Sequence, residues 1–266
     1  MRFFTILSSS LFATAALANS RAGHHSHTHK SHSKSKAAAA NENGEFTNST
    51  INGITSGTWA GAVLVTEGSV SSVSGEFIVP NPKAPAHADP NTEYCASVWV
   101  GIDGDSSSCG QAILQTGIDV CIKNGKPSYA AWYEWWPALD SYFDNFHIEA
   151  GHKIHASVHA TSKNIGFATL VNLSTGQVAT FPWAGNVEAD LCQLDAEWIV
   201  EDYSSADGDM VPFVDFGEIK WTSAQATVGG AIVGPEKAEL WDISQNGKTL
   251  AHTSINNNDV VISYAA

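Results

Sequence analysis

Basic residues almost disappear from this chain after Lys36. Of 13 Lys and Arg, five (Arg2, Arg21, Lys30, Lys34 and Lys36) fall in the first 36 residues, leaving eight for all that follows. From Glu45 onward those eight bases face 26 of the 27 acids. A body this acidic excludes nucleic-acid binding. It suits low pH, where many carboxylates are neutral and self-repulsion fades. A membrane-spanning run is also missing. The apolar stretch ending at Ala18 is too short and too rich in Ser for a bilayer, which takes about 20 apolar residues. No later stretch is a candidate, so a soluble protein with no membrane partner is expected. The familiar hydrolase signatures are absent too. There is no Gly-x-Ser-x-Gly, no His-Glu-x-x-His, and no Asp-Thr-Gly or Asp-Ser-Gly pair. The four cysteines show no Cys-x-x-Cys or Cys-x-x-His spacing, so zinc is unsupported. Asp103-Gly104-Asp105 opens like a calcium loop but lacks the required Gly and closing Glu.

What is present divides the chain in three. Residues 1–18 carry one charge, a short apolar core and the small-x-small ending Ala16-Leu17-Ala18, the pattern of a secretory signal peptide. An extracellular protein is therefore expected. Residues 19–53 are basic and rich in His and Ala, with almost nothing to build a core. A removable propeptide, a metal-binding His tract and a solvated tail all fit this composition. As a propeptide it would act as an electrostatic latch on the acidic body, loosened when acid neutralises the carboxylates. Residues 54–266 suit one large domain.

That domain reads as all-β. Lys153–His159 alternates polar and apolar, placing Ile154, Ala156 and Val158 inward and the histidines toward solvent. Ser97–Ile102, Phe167–Leu173, Trp198–Glu201, Phe213–Trp221 and Val260–Tyr264 also read as strands. The fourth changes parity at Gly217, which suggests a bulge. Many short strands, frequent turns and no long helical period imply a β-sandwich. Cys95, Cys109, Cys121 and Cys192 form an even set, and an exported protein would pair them in one of three ways. Asn48-Ser49-Thr50 and Asn172-Leu173-Ser174 are glycosylation sequons.

Chemistry concentrates in strand-like segments that mix tryptophan with acids and carboxamides. One face of a strand holds Trp132, Glu134 and Trp136, where a sandwich core would be aliphatic. An exposed row of that kind reads as a substrate groove. The segments Trp-Val-Gly-Ile-Asp-Gly (99–104), Ile-Leu-Gln-Thr-Gly (113–117), Trp-Tyr-Glu-Trp (132–135) and Glu-Trp-Ile-Val-Glu (197–201) follow in order. Together with Trp59–Val63 and Gly75–Pro80, they resemble the glutamic peptidases, or eqolisins, of filamentous fungi across nearly the whole body.

The resemblance implies two curved antiparallel sheets in a concanavalin-like jelly roll, and a monomer that cuts protein and peptide substrates in acid. It implies a precursor whose own propeptide is removed, with no metal and no organic cofactor. It places the catalytic pair at Gln115 and Glu201. It puts Trp99, Trp132 and Glu134 in the substrate cleft, with Asp103 beside them as a supporting group. It pairs Cys109 with Cys192, leaving Cys95 with Cys121. The chain departs from the family at Ala130, where the family often has Asp.

The chemistry agrees with those positions. A carboxylate can take a proton from attacking water and return it to the leaving nitrogen. An ordinary Glu, near pKa 4.3, stays partly ionised in acid where His would be protonated. A neighbouring carboxamide can donate to the developing oxyanion while its C=O holds the water. Two other functions use similar features. A β-sandwich glycosidase would work with Glu134 and Glu201 and would not need Gln115. A lectin-like binding module would need neither catalytic residue.

Overall fold

The computed structural model describes residues 27–28, 35–36, 52–205 and 207–266. The signal-peptide reading, most of the basic segment and the sequon at Asn48 lie outside the described residues.

Two sheets form the body. In the first, neighbouring strands run in the spatial order Lys126–Trp136, Ile113–Lys123, Tyr94–Ile102, Asp195–Glu201, Trp59–Val65 and Glu239–Gln245, all antiparallel. The second sheet runs Gln177–Ala184, Ile165–Asn172, Lys153–Ala160, Val70–Ile78 and Glu218–Val228. The last of these strands belongs to both sheets. Its Glu218–Trp221 part pairs with Asp259–Tyr264 in the first sheet, and Thr222–Val228 pairs with Val70–Ile78 in the second. The crossing falls at a register shift between Thr222 and Gln225, where Ser223 has φ 52°. A bulge is the usual way for a strand to turn such a corner. The fold is an antiparallel β-sandwich.

Period-two alternation builds the core between the sheets. Ile154, Ala156, Val158 and Ala160 point inward from the second sheet. Leu114, Ile118, Val120, Ala196, Trp198 and Val200 meet them from the first. Trp198 is fully buried, and its Nε1 donates to the Ser74 carbonyl across the sandwich at 2.8 Å. That bond removes the penalty of burying an indole N–H.

The expected strand Phe213–Trp221 is corrected in part. Strand geometry begins only at Glu218; Phe213 and Asp215 make isolated bridges to Cys95 and Lys83. Gly217 is a turn residue at φ 72°, and its N–H is taken by Asp215 Oδ1 at 2.9 Å. This local Asx bond outcompetes the ladder. The parity change survives because both parts reach the core, Val214 and Phe216 before the turn and Ile219 and Trp221 after it.

Two disulfides brace the first sheet. Cys95 and Cys121 face each other on adjacent strands. Cys109–Cys192 joins the loop after the Trp99 strand to the loop before the Glu201 strand, across 83 residues of sequence. In the chain-entropy account a closed loop of this size stabilises by about 4.5 kcal/mol.

Asn172 of the second sequon is completely buried. Its Nδ2 donates to the His147 carbonyl and to His152 Nδ1, both at 2.9 Å. Its Oδ1 accepts the N–H groups of Ser174 and Thr175 at 3.1 and 3.3 Å. A glycosylated Nδ2 keeps one hydrogen and cannot make both donations. Peptide mapping of the native protein should find Asn172 without a sugar. Asn172→Ala should destabilise by about 2–3 kcal/mol in denaturant titration, since it strands several buried partners. A normally stable protein glycosylated at Asn172 would contradict this packing.

Candidate active site

The outer face of the first sheet is unlike its core face. Strand register arranges its residues in three transverse rows. One row reads Glu239, Val63, Glu197, Gly101, Gln115 and Glu134. The next reads Trp241, Gly61, Ile199, Trp99, Gly117 and Trp132. The third reads Trp59, Glu201, Ser97, Asp119 and Ala130. An aromatic row thus separates two polar ones. Gln115 lies in the first polar row and Glu201 in the other, two strands and four residues apart on one face.

Trp99 occupies the space between them. A β-carbon on Gly101 would sit 2.8 Å from Trp99 Cζ3, and one on Gly117 would sit 2.2 Å from the Val98 carbonyl and 2.6 Å from Trp99 Cβ. Only glycine fits on either side. The Trp59 ring meets Trp99 edge-on with centroids 4.9 Å apart. Trp99 Nε1 donates to Glu201 Oε2 at 2.9 Å, which orients that carboxylate. Trp99 is fully buried; so are Trp132 and Glu134, with Trp136 partly buried, against the expectation that Trp132, Glu134 and Trp136 form an exposed row, because neighbouring rings pack onto this face.

Gln115 is anchored from the other side. Its Nε2 donates to Glu134 Oε2, directly opposite on the next strand. A carboxamide nitrogen carries two hydrogens, so one remains for another acceptor. Gln115 Oε1 accepts no hydrogen bond from the described residues. In the third row Asp119 accepts from Ser97 Oγ and from the Tyr142 hydroxyl, the latter at 3.1 Å. Burial, with Asp119 and Asp140 nearby, raises the Tyr142 pKa and keeps the phenol neutral.

Asp103 holds the backbone that precedes the Glu201 strand. Its carboxylate accepts the backbone N–H groups of Cys192, Gln193, Leu194 and Asp195 at 2.7, 2.8, 2.7 and 3.3 Å. It therefore clamps the turn that leads into the Glu201 strand, beside the Cys192 disulfide. Burial raises its pKa despite those four donors. Asp103, Cys109 and Cys192 also form a cluster of potential metal donors, but both sulfurs are in the disulfide. That leaves no thiolate to bind an ion.

Sequence reasoning missed Glu197. It lies two turns of the pleat before Glu201 on the same face, level with Gln115 across Gly101. It is fully buried, and neither carboxyl oxygen has a hydrogen-bond partner among the described residues. Burial first, then the charges of Asp195, Asp103 and Asp105, push its pKa well above the ordinary value. Glu197 is a neutral acid at low pH. The spacing Glu197–Glu201 was a usable signal, since period two puts both on one face.

A family model described as the peptidase A4 family matches residues 57–264. The chain belongs to the peptidase A4 family. Aspergillopepsin-2 of Aspergillus niger is 43% identical to the peptidase over 285 residues, covering 99% of this chain and 100% of that protein. Scytalidopepsin B of Scytalidium lignicola is 34% identical over 212 residues, covering 77% of each. A crystal structure of scytalido-glutamic peptidase with a transition state analog inhibitor matches with TM-score 0.71 and 32% identity, over 79% of the peptidase and 98% of that chain. Aspergilloglutamic peptidase from Aspergillus niger matches with TM-score 0.62 and 50% identity, over 65% and 99%. The peptidase is a glutamic endopeptidase.

Its buried acids set a pH limit on the fold. Glu197, Asp103 and Asp202 all bind protons more tightly when folded. Burial pushes Asp202 up to about 7, with the Gln245 N–H partly offsetting it and the Glu201 charge adding to it. In the unfolded chain such groups release their protons near pH 4. As pH rises above that, the folded state retains protons the unfolded chain has lost, so stability falls until the folded pKa is passed. For Asp202 the window runs from 3.8 to about 7, and at about 1.36 kcal/mol per pH unit it removes about 4 kcal/mol. The melting temperature should be highest near about pH 3–4 and drop toward pH 7. Glu197→Gln and Asp202→Asn should each shrink that drop, whatever they do to the absolute value in acid. A wild-type melting temperature independent of pH would refute the assignment.

Proposed function

We propose that the peptidase is a secreted acid endopeptidase acting on proteins and peptides, with Glu201 and Gln115 as its catalytic residues. The observation that carries this reading is their shared, oriented placement: Glu201 held by the Trp99 N–H and Gln115 held by Glu134, on one face. Glu201 takes a proton from water as the water oxygen attacks the scissile carbonyl carbon. The carbonyl oxygen gains negative charge, and the free N–H of Gln115 donates to it. The C–N bond then breaks, and Glu201 returns the proton to the departing nitrogen. The products are a carboxylic acid and an amine. Glu134 and Trp99 are positioning residues as well as cleft residues, and Trp132 forms the cleft wall next to them. The neutral Glu197 adds no charge of its own to the polar row around Gln115 in acid.

The same reading takes residues 1–18 as a signal peptide, 19–53 as a propeptide and 54–266 as the mature domain. Its support is the charge contrast, together with the antiparallel backbone pairing of His27–Thr28 with Ser204–Ser205, close to Glu201. Among the described residues no helix is long and apolar enough to cross a membrane.

Digestion of a denatured protein at acid pH tests the catalytic pair. Glu201→Gln should melt near the wild type and cleave at less than about 1% of its rate, because general acid–base action is worth about 100-fold or more. Gln115→Ala should lose about 100- to 1,000-fold, the usual effect of deleting one oxyanion donor. A folded Glu201→Gln protein with near-normal cleavage would sink the mechanism. Hydrolysis of a glycoside, unaffected by Gln115→Ala, would replace it with the glycosidase alternative.

A further inference from the structure

Gln115 and Glu197, both in the first polar row, leave three buried polar atoms without partners among the described residues. Gln115 gives its Nε2 to Glu134, but its Oε1 accepts nothing. Glu197 Oε1 and Oε2 are likewise unmet. Both residues are completely buried, where an unmet polar group is costly.

Strand register brings these atoms toward each other. Glu197 stands opposite Gly101, and Gly101 opposite Gln115. Gly101 has no side chain, so the space above it is open to both neighbours. Glu197 Oε2 leans into that space. It would lie 3.2 Å from a β-carbon on Gly101, and Trp99 Cζ3 is 2.8 Å from the same point. The Gln115 β-carbon stands about 4.5–5.5 Å from that point, the usual separation of a cross-strand pair. The Glu197 carboxyl has thus crossed to the middle strand along the indole ring. The Gln115 amide nitrogen is taken up on the Glu134 side, so its oxygen is the arm left for the Gly101 side. Two polar groups just beyond direct bonding distance in a buried place are what a single water bridges.

The charged groups around Glu197 are all acids. Asp195 lies two residues earlier on the same face, and Asp103 and Asp105 come from the loop after the Trp99 strand. Glu239 stands beyond Val63 in the same row, Glu134 beyond Gln115, and Glu201 four residues on. Among the described residues the row holds no basic group to pair with a carboxylate. Burial, then Asp195, Asp103 and Asp105, keep Glu197 protonated in acid, with an O–H to give. We propose that Glu197 is the positioning residue for Gln115, its carboxyl O–H donating to one water that in turn donates to Gln115 Oε1. This rests on the reading of Gln115 as the oxyanion donor. An amide held from both sides does not turn over, since the reversed orientation would set Oε1 against the Glu134 oxygen, acceptor against acceptor. The second N–H of Gln115 then stays available to the oxyanion.

Steady-state cleavage of one peptide in acid tests this with two variants. Glu197→Gln keeps a donor of the same length, so kcat should stay within about threefold of wild type. Glu197→Leu offers none. Its kcat should fall about 10- to 100-fold with KM nearly unchanged, the pattern of a bond that matters only in the transition state. In a Gln115→Ala background Glu197→Leu should cost no further rate, because its effect passes through Gln115. The Gln115 side-chain amide gives a readout without turnover. Its signal in nitrogen-15 NMR spectra of the folded protein should shift as Glu197 loses its proton, and that step should vanish in Glu197→Gln. Should Glu197→Leu fail to fold, the Gln variant and the amide signal still decide. A shift abolished by Glu197→Gln, together with normal cleavage by Gln115→Ala, would uphold the contact and place the failure on the catalytic reading. With Gln115→Ala slow, three results would overturn the proposal: equal kcat in Glu197→Gln and Glu197→Leu, an equal cost of Glu197→Leu in both backgrounds, or an amide signal blind to Glu197.

Discussion

The site depends on one indole ring laid between two glycines. Strands stand about 4.8 Å apart, too close for a tryptophan to lie across its neighbours if they carried β-carbons. At Gly101 and Gly117 they do not, and a β-carbon at either would meet Trp99 within 3 Å. The ring therefore lies along the sheet and keeps the two polar rows apart. Gln115 bonds Glu134 and not Glu201, so the carboxamide and the carboxylate are held separately, each by its own partner. Such separate anchoring fixes the orientation of both groups, as the catalytic roles proposed for them require. Replacing either glycine would move the ring, and with it the N–H that orients Glu201.

Acidity runs through the structure at two levels. On the surface, excess carboxylates repel each other near neutrality, and protonation relieves the repulsion. Inside, the carboxyls of Glu197 and Asp202 are buried where their charged forms are poorly solvated. A neutral carboxylic acid is tolerable in such a place; a carboxylate is not. Glu197 makes the point most sharply, because three other acids add their field to the burial penalty. The fold is thus built for acid, the range in which the Glu base proposed here can still work.

Much of this was legible in the sequence, and the failures have physical causes. Lys153–His159 reads correctly because one face is buried and the alternation is strict. Trp132 and Glu134 share a face, as period two requires, but burial by neighbouring rings is a tertiary fact that one strand cannot reveal. Phe213–Trp221 misleads because Gly217 permits either a bulge or a turn, and the deciding contact is the Asp215 side chain. Asn172-Leu173-Ser174 has the form of a sequon, yet its Asn serves as an internal hydrogen-bond hub. Glu197 was passed over because a buried acid with no partner runs against the rule that acids face water. The row across the sheet that joins Glu201 to Ala130 exists only through strand register, which a single chain read in order does not display.

The strand that carries Glu201 is fixed at both ends, and by acids. At its start Asp103 gathers four backbone N–H groups next to the Cys109–Cys192 bridge. Just past its end the Asp202 N–H donates to the Thr58 carbonyl at 2.8 Å, and Gln245 Nε2 reaches both Asp202 Oδ2 and the Gly57 carbonyl at 2.7 Å. These clamps respond differently to pH. Asp103 accepts from backbone donors and works best as a carboxylate, so its four bonds oppose the burial that raises its pKa. Asp202 needs only one acceptor oxygen for Gln245 and loses little on protonation. Rising pH costs stability at both ends, but less at Asp103, whose carboxylate keeps four N–H donors, than at Asp202, where a second charge forms beside Glu201. Loosening should begin at the Asp202 end, adjacent to Glu201 itself, so that the geometry of this carboxylate is lost before the sandwich as a whole unfolds.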